Sequence, residues 1–293
     1  MFTCNLCPRK CNIERKALTH SGKGFCNMGE NPVIARAALH FWEEPPISGT
    51  NGSGTVFFSG CNLKCVFCQN EDISSGCFGK EVSVERLREI YLELINQGAH
   101  NINLVTGTHF INAIAKSLEE PLPVPIVYNC GGYESVNSLK LLENKVQIYL
   151  PDLKYADDEL AIKYSDAPDY FEIATNVIKE MYRQVGNCEF DEDGIMTKGV
   201  IIRHLLLPSS TNDAIEIIDW AEANCNNAVF SLMSQYLPFG NAEKYKELNR
   251  RITKREYDKV CNHLAEKNFF DVYIQDMTSS SEEYIPSFDF EGV

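Results

Sequence analysis

From residue 54 onward, seven short apolar runs alternate with helix-patterned segments, and this alternation most narrows the folds open to the chain. Residues 54–60 (GTVFFSG), 101–106 (NINLVT), 124–129 (VPIVYN), 146–150 (VQIYL), 199–206 (GVIIRHLL), 228–234 (AVFSLMS) and 270–275 (FDVYIQ) read as strands. Helices are expected over 82–96, 109–119, 134–143, 157–185, 212–224 and 254–266, the first ending before Gly98. Residues 188–198 read as a hairpin or a loop. Such alternation implies a parallel sheet with helical crossovers. With six or seven βα units, a full or partial barrel is favoured over an open doubly wound sheet. Its chemistry then belongs at the C-terminal ends of the strands.

Those ends are rich in functional side chains. They carry Cys61–Cys68, then Thr106-Gly107-Thr108-His109, Asn129-Cys130-Gly131-Gly132, Asp152-Leu153-Lys154 and Gln235-Tyr236. Cys61, Cys65 and Cys68 form a CxxxCxxC loop directly after the first strand. A structural zinc site takes four protein ligands. A [4Fe–4S] cube held by three cysteines instead keeps one iron open for a small molecule. The alternative is a zinc site completed by Cys77 or a remote His. Twelve cysteines are present, seven of them within the first 68 residues. Cys4, Cys7, Cys11 and Cys26 form a second complete ligand set, for zinc or for another iron–sulfur cluster. The two cysteine groups are expected to behave independently. Cys77, Cys188, Cys225 and Cys261 read as ordinary thiols, and Cys130 as a residue near the cavity.

The string Gly60-Cys61-Asn62-Leu63-Lys64-Cys65-Val66-Phe67-Cys68-Gln69-Asn70 resembles the signature of the radical S-adenosylmethionine (SAM) superfamily, and within it the pyruvate formate-lyase activating enzymes. The resemblance extends through Asp152-Leu153-Lys154, the Arg203 strand and 233–238 (MSQYLP), covering roughly 52–276. It implies an α/β fold, a partial (β/α)6 TIM-like barrel, here with a small N-terminal Cys-rich metal-binding module. The expected division is 1–50 for that module and its linker, 51–276 for the barrel and 277–293 for a tail that packs across the barrel or stays loose. The resemblance also implies a [4Fe–4S] cluster on Cys61, Cys65 and Cys68, reductive cleavage of SAM to a 5′-deoxyadenosyl radical, and hydrogen abstraction from a substrate. In the activating enzymes the substrate is a backbone glycine of a glycyl-radical enzyme, and the electron donor is of flavodoxin or ferredoxin type. By position, Phe67 lies near the adenine. Asn129 and Asp152 lie near a monovalent-cation site, and Lys154 and Arg203 are the basic residues of the cavity. Thr106, Gly107, Thr108 and Gln235 complete the expected SAM contacts.

Three departures limit the resemblance. The family's Gly-Gly-Glu-like turn reads Thr106-Gly107-Thr108-His109, without the acid, and His109 reads as facing either ligand or solvent. Only 13 residues separate Cys68 from Val82, too few for an inserted ferredoxin module. The Cys7-Pro8-Arg9-Lys10-Cys11 leader resembles a less characterised branch, which moves weight from pyruvate formate-lyase toward another peptide or a small molecule as substrate. A net charge of −14 disfavours nucleic acid, whose binding rests on cationic neutralisation of phosphate. No run approaches the ~20 apolar residues of a membrane span. The first seven residues lack a basic and apolar leader pattern, so a cytoplasmic chain is expected. A different class, an electron carrier or metal-binding interaction protein without catalysis, is disfavoured by the open iron, which a pure carrier does not need.

Overall fold

The computed structural model describes residues 2–15, 24–277 and 286–293. The larger sheet is built on β1 (Val33–His40), β2 (Ser53–Phe58), β3 (Ile102–Val105), β4 (Ile126–Cys130), β5 (Ile148–Pro151), β6 (Met196–Leu205), β7 (Val229–Met233) and β8 (Asp271–Ile274). Strands β2 to β8 are parallel neighbours in chain order. Strand β1 adds antiparallel to β2, with Lys80–Glu81 beyond it. Strand β8 ends the other side and does not pair with β1 or β2 among the described residues, so the barrel is partial.

All seven expected strands are present. The linker expected before residue 51 contains β1, whose alternation is masked because both faces are largely buried. The helix expected over 157–185 is two, α1 (Asp158–Ser165) and α2 (Tyr170–Val185). They are broken where Asp166 and Asp169 take left-handed backbone around Pro168, a residue disfavoured in a helix interior. The expected 134–143 helix is the short Val136–Leu139 plus a 3-10 turn, and 188–198 is a hairpin pairing Glu189–Phe190 with β6.

Inward-facing residues on alternate strand positions fill the barrel in two layers. The lower layer is apolar: Val127, Ile148, Leu150, Ile201 and Val229 enclose Ile47 from the short helix Pro45–Ser48. Two residues further along the same strands the lining turns polar, at Asn129, Asp152, Arg203 and Ser231. A chain segment preceding the first parallel strand therefore plugs the barrel and supports a polar ring above it. Burying Ile47 alone contributes about 1.5–3 kcal/mol. Part of the tail lies along β1: the Ala37 N–H donates to Glu291 O and the Phe290 N–H to Ala35 O. Residues 278–285 lie outside the described residues.

Candidate active site

Gly60 ends β2 in a left-handed turn (φ 81°) that sends the cysteine loop across the top of the barrel. A Cβ there would meet Met28 Cγ at 2.5 Å, Cys26 O at 2.8 Å and His109 Nε2 at 3.1 Å, so only glycine fits. Each cysteine sulfur of the loop has a polar partner. The Leu63 N–H donates to Cys61 Sγ at 3.4 Å, Ser165 Oγ donates to Cys65 Sγ at 3.0 Å, and Ser74 Oγ lies 3.3 Å from Cys68 Sγ. Burial pushes the Cys61 thiol up to about 12, with Cys65 adding to the rise, and burial raises Cys68 as well. Sulfurs this costly to ionise alone are suited to a positively charged metal centre.

The loop opens onto a cavity of about 260 Å³ shared with Asn129, Cys130, Asp152, Lys154, Arg203 and Gln235. At its centre Arg203 is fully engaged. Its Nε donates to Asp152 Oδ1 at 2.8 Å, Nη1 to Glu43 Oε2 at 3.1 Å and Nη2 to Asn129 Oδ1 at 2.6 Å. Strand register brings this about, since Asp152 and Arg203 face each other in an isolated parallel bridge. Lys154 Nζ donates to the second Asp152 oxygen at 2.6 Å. Burial opposes ionisation of Asp152, but Arg203 and Lys154 outweigh it and hold the carboxyl below its ordinary value. Burial likewise opposes the Lys154 charge, and Asp152 and Cys65 outweigh it in the other direction.

Glu43 and Glu44 are site residues that sequence reasoning missed. They precede Pro45-Pro46 and resemble exposed turn residues, yet the plug carries them up into the barrel. Glu44 accepts from Ser231 Oγ at 3.2 Å and lies 3.8 Å from Arg203 Nη1. Burial, with Glu43 adding and Arg203 opposing, lifts its carboxyl to about 7.

Of the expected SAM contacts, Thr106, Asn129, Asp152 and Gln235 line the cavity, whereas Gly107, Thr108 and Phe67 do not. Thr108 begins a 3-10 turn and is buried, its hydroxyl donating to Glu134 Oε1 at 2.5 Å. Glu134, also missed, accepts from Tyr128 as well, and burial lifts it to about 8. Phe67 is buried edge-on against Tyr236. His109 faces neither solvent nor cavity: its Nε2 lies 2.7 Å from Ser59 O, and burial depresses its pKa to about 3. A further cavity of about 360 Å³ around Pro121, Pro123 and Gln147 shares no residue with this site.

The N-terminal cysteines lie behind the loop. Cys4, Cys7 and Cys26 are buried and Cys11 half-buried, and the twelve cysteines are all free thiols. Arg15 Nη2 donates to Cys26 Sγ at 2.9 Å and the Phe25 N–H to Cys11 Sγ at 3.4 Å. Burial pushes Cys7 up to about 12. Among the described residues, no three His, Cys, Asp or Glu side chains converge on a single metal-ion position. A cubane does not ask this of three thiolates, because each binds a different iron.

The radical SAM superfamily profile matches residues 55–278. The chain belongs to the radical SAM superfamily. It therefore carries a radical SAM catalytic domain, and the cofactors of that superfamily are a [4Fe–4S] cluster and SAM. An uncharacterized protein of Methanocaldococcus jannaschii is 33% identical over 279 residues, covering 92% of this chain and 76% of that protein. Among solved structures, Streptococcus suis SuiB bound to its precursor peptide SuiA matches with TM-score 0.51 and 16% identity, over 74% of this chain and 46% of SuiB. A second structure of Streptococcus suis SuiB matches with TM-score 0.50 and 15% identity, over 78% and 50%. This radical SAM chain thus spans about half the length of the SuiB structures, and at that identity the likeness is one of fold. A domain of a Bacteroides vulgatus pyruvate-formate lyase-activating enzyme aligns more loosely, with TM-score 0.38 and 12% identity over 66% and 91%. No helix among the described residues is long and apolar enough to cross a membrane.

Proposed function

We propose that Cys61, Cys65 and Cys68 hold a [4Fe–4S] cluster at the head of the cavity, that SAM binds beside it, and that the substrate is a peptide or protein segment. One observation carries this: three cysteines whose sulfurs each have a polar partner open into the same cavity as the Asp152–Lys154–Arg203 ring. When bound, the cluster and SAM supply one-electron reductive cleavage and hydrogen-atom abstraction, and the protein supplies orientation and exclusion of water. Asp152 keeps Lys154 charged and fixed, so that its remaining ammonium protons are directed at an acceptor such as a carboxylate. Arg203, tied on three sides, holds Asn129 and Asp152 in place as fixed acceptors. Thr106 and Gln235 add neutral polar contacts at the cavity wall.

SuiB, of similar fold, is known with its precursor peptide bound, which adds support to a peptide substrate. A glycine of a glycyl-radical enzyme is the peptide-class substrate implied by the sequence resemblance. Cys4, Cys7, Cys11 and Cys26 are proposed as a second metal site, a cluster fitting them better than zinc because no three of these thiols converge on one ion position. The test is anaerobic purification with iron, sulfide and zinc counts, followed by electron paramagnetic resonance (EPR) before and after SAM. A reduced-cluster signal that shifts on SAM addition, with release of 5′-deoxyadenosine under dithionite, is expected. A signal indifferent to SAM would return the chain to the metal-binding, non-catalytic class.

A further inference from the structure

The back of the cysteine loop is gripped by the N-terminal module, and the grip converges on one peptide unit. Arg9, in the Cys7-Pro8-Arg9-Lys10 turn, donates from Nε to Asn62 O at 2.8 Å. Its guanidinium lies 3.6 Å over the Phe25 ring, next in sequence to Cys26, and 5.1 Å from the Tyr133 ring. The Asn62 side chain is held in turn by Tyr133 O. Asn62 is almost fully buried, so neither bond competes with open water.

The other face of that peptide unit is the Leu63 N–H, which donates to Cys61 Sγ at 3.4 Å. No peptide bond among the described residues is cis. In a trans peptide the carbonyl and the N–H point in opposite directions from one rigid plane. Fixing the Asn62 carbonyl toward Arg9 therefore fixes the Leu63 N–H toward the sulfur. Rotating the plane to free one bond breaks the other.

We infer that Arg9 is a positioning residue for the radical SAM cluster, holding through the Asn62–Leu63 peptide the N–H···S hydrogen bond on Cys61. The inference rests on the proposal that Cys61 binds the cluster. Hydrogen bonds to cluster sulfurs help set reduction potential, because they stabilise the extra electron of the reduced state. The N-terminal module is then an electronic partner of the barrel site, and the two cysteine groups are not independent as their spacing alone suggested. Arg rather than Lys is required, since only a planar guanidinium both stacks on Phe25 and directs Nε–H at a fixed carbonyl.

The test is a dye-mediated reductive titration of the full-length, anaerobically reconstituted protein, followed by the SAM-responsive EPR signal. In Arg9→Ala the reduced-to-oxidised ratio at a fixed potential is expected to fall about threefold, a downward shift of about 28 mV at 59 mV per decade for one electron. Arg9→Lys keeps the charge and is expected to fall with Arg9→Ala. Recovery of the wild-type ratio by Lys would mean that charge, not peptide orientation, sets the effect, and would overturn the inference. So would an unchanged ratio in Arg9→Ala, or an equal shift in Arg86→Ala, a surface-helix control. Should Arg9→Ala not fold, Arg9→Lys decides the matter alone. A wild-type protein without a SAM-responsive signal would instead remove the assignment of Cys61 on which the inference stands.

Discussion

Replacing Glu44 by Gln isolates the electrostatic cost of a carboxylate carried into the barrel by its plug. Burial, opposed by Arg203, leaves the folded-state pKa at about 7 against an ordinary 4.5. Between those two values the native state keeps the proton while the unfolded chain has lost it. Stability is therefore greatest below that window and declines as pH rises through it. The separation corresponds to about 3 kcal/mol at 1.36 kcal/mol per pH unit. Near pH 5 a small part is already present, so about 2–3 kcal/mol is lost between pH 5 and pH 8. Gln cannot ionise, and its oxygen can still accept from Ser231. Differences between the two neutral side chains appear at both pH values and cancel. Anaerobic guanidinium titrations of wild type and Glu44→Gln at pH 5 and pH 8 should thus show the variant gaining about 2–3 kcal/mol relative to wild type on going to the higher pH. Parallel pH profiles for the two proteins would refute the reasoning, because Glu44 would then ionise without penalty beside Arg203.

Cys65→Ala should lose the SAM-responsive cluster and 5′-deoxyadenosine release together, whereas Cys77→Ala keeps both, as checked by iron and sulfide counts and product assay. Arg203→Met leaves Asp152, Glu43 and Glu44 with only Lys154 as a cation among them, and should cost about 3–5 kcal/mol in denaturant titrations. A loss below about 1 kcal/mol would show that the polar ring does not depend on the guanidinium. Gly60→Ala forces a side chain into left-handed backbone against Cys26 O and Met28. It should destabilise the protein by about 2–3 kcal/mol and lower cluster occupancy, read by melting and by iron content.

The parallel strands were legible because buried β-branched runs and helical spacing are local patterns that survive into the fold. Strand β1 was not, since VIARAALH carries helix-favouring Ala, Leu and Arg and is a strand only because β2 offers a partner. The cysteine loop, Asp152, Lys154 and Arg203 could be placed from motif and strand-end position. Glu43 and Glu44 could not, because their burial depends on Ile47 entering an interior assembled from strands far along the chain. Thr108 shows the reverse error: a hydroxyl at a strand end was expected to face ligand, but the 3-10 turn after Gly107 carries it inward to Glu134.

The plug also sets a schedule for biosynthesis. Ile47 is made before any strand that encloses it, and Val229 follows roughly 180 residues later, on the order of 10–35 s at 5–20 residues per second. For that interval the nascent chain carries the plug, and soon the cysteine loop as well, while the strands that enclose Ile47 are still unmade. If the cysteine loop holds the proposed cluster, metal delivery to it competes with thiol oxidation in a half-built barrel, so iron and reductant supplied during synthesis raise the yield of folded protein.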